Sequence, residues 1–402
     1  MLPDAEGKTG MVKITTLWMR GLARAGKVQR RTVNQLFNQL LGQGATKSKV
    51  AVKSTLKTAR KGEAALKAQT KPAPRTRTRA SSPALPGKWL AAHYSGLPQL
   101  GTLAGQGMSY WLYLPHKAAP AAVQQRGLPL IVMLHGCGQS ATEFAQGTRM
   151  NRLAEQKGYA VLYPQQSLTS HVQRCWKWYD KATQHGGGDV AMIVGIILQV
   201  AQKHGIDRSR IYIAGVSAGA AMADIVALNH PELIAAVGLH SGPVFGGGHS
   251  TIGALNLMQH GNQAHTDGPI ADILQRKPEF PRMPKILIQG MQDKVVDPIN
   301  QRQLVQQGLL LNRLAHDAQA SALVTPATLA GSRRPAHEYA TSDYYAIDDQ
   351  QGADQALLLR VTKIEQLDHA WSGGDASVPF NAKTGPDASK MMLDFFARHQ
   401  RM

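Results

Sequence analysis

The chain has no run of eighteen or more apolar residues, so the sequence predicts no transmembrane helix. Its start also lacks a convincing export signal. Met11-Val12-Lys13-Ile14-Thr15-Thr16-Leu17-Trp18-Met19 is too short and too polar for a signal-peptide core, and no small-residue cleavage site follows. Cysteine is scarce: Cys137 and Cys175 are the only two in 402 residues, which allows one disulfide or two free thiols and excludes a multiply bridged scaffold. His135 and Cys137 make an H-x-C pair without the further ligands zinc needs, so neither a metal site nor a cofactor is expected. No internal repeat is present. Acidic residues are rare at one end. Residues 1–88 hold 19 Lys and Arg against 3 Asp and Glu, a net +16, whereas the remainder, with 26 against 23, carries +3. The formal charge of +19 therefore belongs to the first segment, and the rest is nearly neutral.

A hydrophobic content of 43% is that of a globular chain. Residues 11–42 place Leu17, Trp18, Leu22, Val33, Leu36, Phe37, Leu40 and Leu41 at the spacing of an amphipathic helix or helical pair. Residues 43–88, rich in Lys, Arg, Ala, Thr and Pro, bury too little apolar surface to offset their ordering entropy and read as a disordered linker. Residues 1–88 are thus expected to form a basic, largely disordered N-terminal extension, and 89–402 a single α/β domain. Strand-like runs at 108–114, 130–134, 160–163, 211–214, 235–239, 285–289 and 356–361 are separated by helical stretches such as 189–203 and a closing helix at 389–398. Strands alternating with helices predict right-handed crossovers and a mostly parallel central sheet with helices on both faces.

One pentapeptide carries the chemistry. Gly215-Val216-Ser217-Ala218-Gly219 lies between the β-rich Ile211-Tyr212-Ile213-Ala214 and the helix-forming run from Ala220 to Leu228. Strand, G-x-S-x-G, helix is the pattern of the α/β-hydrolase nucleophile elbow, in which a strained turn exposes the serine Oγ. In that fold the serine is followed by an acid and then a histidine. Asp293 sits on the turn just after the buried run Lys285-Ile286-Leu287-Ile288-Gln289, at the carboxyl edge where sites form. Asp297, beside Pro298, reads instead as the cap of a helix beginning near Ile299. Of the later histidines, His316 lies in a polar helical stretch, His337 in a loop and His399 in the terminal tail. His369 precedes Ala370-Trp371-Ser372-Gly373-Gly374, whose small residues permit a close approach to the serine. The oxyanion hole is expected from two backbone N–H groups, that of Ala218 after the nucleophile and that of Cys137 in His135-Gly136-Cys137-Gly138-Gln139.

These segments, together with Gly147-Thr148-Arg149-Met150-Asn151, Tyr163-Pro164 and Cys175-Trp176-Lys177-Trp178, resemble the catalytic domain of poly(3-hydroxybutyrate) depolymerase-family esterases. The resemblance covers about residues 105–398. It implies a secreted α/β-hydrolase acting on hydroxyalkanoate oligomers or polymer, or on related esters, with Ser217, Asp293 and His369 at the triad positions. The same branch includes acetylxylan and feruloyl esterases. Gly138 stands where members usually have threonine, and Gly188-Asp189-Val190-Ala191 where they have Gly-Glu-Pro-Ala. The closing helix is not expected to be followed by a substrate-binding module, which favours soluble or amorphous substrate over crystalline polymer. Trp176, Trp178, Tyr179 and Trp371 are candidates for lining an ester-binding cleft, with aromatic packing beneath the oxyanion loop as the alternative for the first three. Cys137 and Cys175 would be bridged in an oxidising compartment and free in a reducing one. The basic extension would meet anionic surfaces such as a granule coat or membrane, with no sequence-specific nucleic-acid binding, or else be a solvated tail. A non-catalytic granule- or polyanion-binding protein is the competing class.

Overall fold

Alternate residues of the buried strands face two different cores. In β3 (Leu128–Leu134), Leu130, Val132 and Leu134 pack on one face of the sheet, and Ile131 and Met133 on the other. In β5 (Ile206–Val216), Ile211 and Ile213 point to the first face, and Tyr212, Ala214 and Val216 to the second. Such doubly apolar strands are stable only with helices on both sides. The computed structural model describes residues 85–96, 107–116, 126–263, 266–314, 321–325, 337–346 and 356–401. The expected N-terminal helix and most of the linker lie outside the described residues, as does His316.

The remaining strands are β1 (Lys88–Ser95), β2 (Gly107–Leu114), β4 (Ala160–Gln165), β6 (Ala236–His240), β7 (Lys285–Gly290), β8 (Ser321–Thr325), β9 (Tyr339–Ala346) and β10 (Ala356–Ile364). They form one ten-stranded sheet in the order β1-β2-β4-β3-β5-β6-β7-β10-β9-β8. Every pair from β4 across to β10 is parallel, while β1-β2, β2-β4, β10-β9 and β9-β8 are antiparallel. The centre of this α/β-hydrolase fold is therefore parallel as expected, and both ends of the sheet are antiparallel additions. Lys88, expected as the last residue of the extension, is the first of β1 and pairs with Leu114.

Helices α1 (Ala141–Thr148), α2 (Met150–Lys157) and α9 (Ala388–Phe396) cover the second face through Phe144, Met150, Met392, Phe395 and Phe396. The first face is covered by α4 (Asp189–Lys203), α5 (Ala218–Asn229), α6 (Thr251–His260), α7 (Gly268–Arg276) and α8 (Ile299–Leu311). A single turn, α3 (Lys181–Gln184), leads into α4. The ion pair Lys285 Nζ–Asp224 Oδ1, 2.5 Å long with both side chains buried, ties α5 to β7. Parallel register sets the C-terminal ends of the central strands side by side: Leu134 opposite Gly215, Val216 opposite His240, His240 opposite Ile288, and Gly290 opposite Ile364. The segments that leave those ends hold His135, Ser217, Asp293 and His369.

Candidate active site

Ser217 stands between β5 and α5 with φ 57° and ψ −124°, a backbone conformation costly for a residue with a side chain. The two glycines of the motif have steric causes. A Cβ on Gly219 would lie 2.2 Å from the carbonyl oxygen of Leu134, and one on Gly215 would lie 2.4 Å from the backbone of Gly219. Only bare backbone lets α5 start this close to β3 and β5. Ser217 N–H donates to His240 C=O at 3.0 Å, and Ser217 is 9% exposed, its Oγ bonded to no described group. Unbonded apo geometry of this kind is common for nucleophiles that engage their base only with substrate present.

Asp293 follows β7 and is fully buried. Its Oδ1 accepts the N–H groups of Val295 and Val296 at 2.8 and 2.9 Å, and its Oδ2 accepts Gln289 Nε2 at 3.1 Å and His369 Nδ1 at 2.7 Å. Two backbone pairings bring the acid and histidine loops together: Met291 N–H to Ile364 C=O at 2.8 Å and Gln292 N–H to Leu367 C=O at 3.0 Å. Burial alone would lower the pKa of His369, but the charge and hydrogen bond of Asp293, with Asp368 nearby, outweigh it and hold the imidazole above its ordinary value. Asp297, one residue before the N-cap Pro298, accepts the first amide of α8, Ile299 N–H, at 2.9 Å and makes no bond to His369. His337 instead meets Thr384 Oγ1 at 3.1 Å, and His399 packs on Phe395.

The loop after β3 is held from several sides. His135 Nε2 accepts Gln166 N–H at 3.1 Å, which leaves Nδ1 protonated to donate to Gly136 C=O at 2.9 Å. Burial keeps this ring neutral, its pKa lowered to about 4. Gly136 N–H donates to Gln139 Oε1, Gly138 N–H to Gln173 C=O and Gln139 N–H to Gly136 C=O. Among the described residues, Cys137 N–H is the one amide of 136–139 without such an acceptor. Cys137 and Cys175 are joined as a disulfide, and Trp176 Nε1 donates to His135 C=O at 2.9 Å, so the 173–176 segment clamps the loop. Gly138, with φ 74°, takes the left-handed conformation that favours glycine.

The tryptophan cleft candidates are corrected by burial. Trp176, Trp178 and Trp371 are 0%, 4% and 1% exposed, so their rings pack inside the protein instead of facing a cleft. Trp371 stacks on His240 with centroids 5.1 Å apart, meets Phe144 edge-on, and donates from Nε1 to Ser389 Oγ. The Gly147–Asn151 motif locks the segment beyond His369: Asp375 N–H donates to Gly147 C=O, Arg149 Nη2 to Gly374 C=O, and Ser389 Oγ to Thr148 C=O.

His240 was missed in the sequence. It ends β6, takes Ser217 N–H on its carbonyl, accepts Ser372 N–H on Nε2 at 3.3 Å and meets Ser241 Oγ through Nδ1 at 3.1 Å. It joins the serine turn to the histidine loop. Burial first, and then the nearby His369, lower its pKa to about 3. The signal that could have found it is a histidine at the end of an otherwise apolar parallel strand.

The family model described as esterase PHB depolymerase matches residues 108–326, more than half the chain. The chain belongs to the PHB depolymerase esterase family. That match runs from β2 into the segment after β8, so it includes Ser217 and Asp293, while His369 lies beyond it. Similar curated proteins include feruloyl esterase B of Neurospora crassa, 35% identical over 134 residues, which are 33% of this chain and 43% of that protein. Poly(3-hydroxyalkanoate) depolymerase C of Paucimonas lemoignei is 29% identical over 183 residues, 44% of each chain. The chain thus spans less than half the length of these family relatives. Among solved structures, an acetyl xylan esterase from Aspergillus awamori superposes with a TM-score of 0.55 at 20% identity, covering 72% of this chain and 94% of that one, which shows a shared fold.

Proposed function

We propose that the protein is a serine hydrolase of carboxylic esters working through an acyl-enzyme. The observation that carries this reading is the 2.7 Å contact of His369 Nδ1 with the buried Asp293, on a strand edge shared with a serine at φ 57°. Ser217 Oγ attacks the ester carbonyl while His369 Nε2 takes its proton. Asp293 holds the imidazole tautomer and stabilises the imidazolium. The N–H groups of Cys137 and Ala218 receive the oxyanion, a contribution of about 3–4 kcal/mol per donor in comparable enzymes. Collapse expels the alcohol, which leaves with the proton from His369. Water, deprotonated by His369, then attacks the acyl-enzyme and frees the acid and Ser217.

Hydroxyalkanoate oligomers or amorphous polyester are the proposed substrates, supported by the family description and the Paucimonas relative. Carbohydrate deacylation is a second reading, supported by the Neurospora relative, a feruloyl esterase. Release of hydroxybutyrate from oligomers, set against release of acetate from acetylated xylan and of ferulate from its methyl ester, separates the two. Ser217→Ala should lower turnover of a short p-nitrophenyl ester by roughly 10⁴-fold or more without changing the melting temperature. Retained activity in that variant would remove the nucleophile assignment. A fluorophosphonate probe should label the native protein and not the variant. An unlabelled native protein would favour the competing class, a non-catalytic granule or polyanion binder.

A further inference from the structure

Phe380 is the bulkiest residue that the described backbone holds in the left-handed region, with φ 62°. A β-carbon is disfavoured there and an aromatic side chain more so, whereas glycine is unstrained. The backbone explains how the strain is imposed. Trp371 N–H donates to Phe380 C=O at 2.8 Å and Ala382 N–H to Trp371 C=O at 2.9 Å, a bridge that fixes the turn two residues after His369. It does not explain why a phenyl ring is carried at that point. The ring is half-buried, and its Cε2 lies 4.0 Å from where a side chain on Gly138 would begin. Gly138 directly follows Cys137. Phe380 is therefore bonded through its backbone to the histidine loop and set through its ring against the oxyanion loop, the two segments that flank an ester at Ser217.

The surroundings define what could lie there. Val378, Pro379 and Phe380 form one wall of a shallow recess, and Gly138, Gln139 and Glu143 form the other. One oxygen of each polar side chain on the second wall is engaged within its own loop. Gln139 Oε1 accepts Gly136 N–H at 2.9 Å, and Glu143 Oε2 accepts Ser140 N–H at 2.8 Å. Val378, Pro379 and Phe380 offer a ligand an apolar surface next to the loop that carries Cys137.

We propose that Phe380 is a specificity-determining residue whose ring receives an apolar group of the ester, larger than acetyl and borne on either its acyl or its alcohol part. This rests on the serine-esterase reading above. An acetyl group ends one carbon beyond the carbonyl and leaves the recess empty, whereas a butyryl, hydroxybutyryl or aryl group extends toward it. Backbone strain is retained at a site where contact with substrate offsets it.

Two substrate series test the proposal with Phe380→Gly, which relieves the left-handed strain while deleting the ring. In one series the acyl chain grows from acetyl to butyryl to hexanoyl on p-nitrophenol. In the other the alcohol grows from methyl to benzyl on acetate. The kcat/KM ratio of the largest to the smallest member should fall about tenfold in one series, and the series that responds identifies the part of the ester that meets the ring. The melting temperature should stay level or rise. Phe380→Leu should restore part of the ratio, because it returns apolar surface without the aromatic plane. Unchanged ratios in both series overturn the proposal, as does a lower melting temperature with unchanged ratios, which would make the ring a packing element. Ser217→Ala is measured alongside. If it retains turnover the esterase reading itself fails, whereas a dead Ser217→Ala with unaltered Phe380→Gly ratios removes only the role of Phe380.

Discussion

Among the described residues, His369 and Asp293 form the one close acid–histidine contact at the C-terminal sheet edge, and its consequences are measurable at single residues. In the proposed mechanism His369 is the general base, which must be neutral to accept a proton, so activity should fall as pH drops through its pKa. That pKa is raised because the charge of Asp293 outweighs burial, so the acid limb of the kcat profile should lie above pH 6.5. Asp293→Asn removes the raising charge, and the limb should move to lower pH while kcat falls by roughly 10³–10⁴-fold. A limb that stays in place would assign the titration to another group. Ser217 and Asp293 were legible because their flanking sequence is distinctive, a strand and a helix around one and a buried strand before the other. Cys137 was legible as a loop position after β3. His240 was not, because its role depends on Ser217 on one side and Ser372 on the other, which are remote in sequence.

At the scale of elements, apolar runs revealed the central strands, and β1, β8 and β9 escaped notice. β1 is exposed along most of its length and β9 is half-buried up to its last residue, Ala346, so neither shows the apolar pattern of a covered strand. Helix α4 was expected over the residues it occupies, since its apolar spacing is continuous from Val190 to Ala201. The tryptophans misled for a physical reason: a ring that lines a cleft and one that lies beneath a loop have the same local sequence. The Cys137–Cys175 bridge joins residues 38 apart and ties the oxyanion loop to the Trp176 segment. In the chain-entropy view, closing such a loop contributes about 4 kcal/mol. Cys175→Ser should therefore lower the melting temperature and reduce kcat more than it alters KM, because the loosened N–H of Cys137 acts mainly on the transition state. Thiol titration of the unreduced, denatured native protein should find no free thiol. Two titratable thiols would remove both the bridge and this expectation.

For the molecule as a whole, charge is divided unevenly between residues 1–88, at +16, and the remainder, at +3. Dense positive charge on one segment attracts polyanions through counterion release, which is steeply salt-dependent and indifferent to sequence. Because β1 begins at Lys88, a variant starting at residue 85 keeps the whole sheet. It should turn over a soluble ester at nearly the native rate, yet be retained less on anionic vesicles at low salt. Loss of turnover would make the first segment part of the hydrolase, and unchanged retention would leave it a solvated tail. By itself, the sequence determined the parallel centre of the sheet, the strained turn at Ser217 and the loops that carry Asp293 and His369. These follow from local periodicity and turn chemistry, which neighbouring residues encode. Only the tertiary structure decided that His240 joins the serine turn to the histidine loop, that the tryptophans are internal, and that Phe380 stands between the histidine and oxyanion loops. Those facts depend on strand register and on loops that meet across the sheet edge, and contacts between segments distant in sequence leave no local trace.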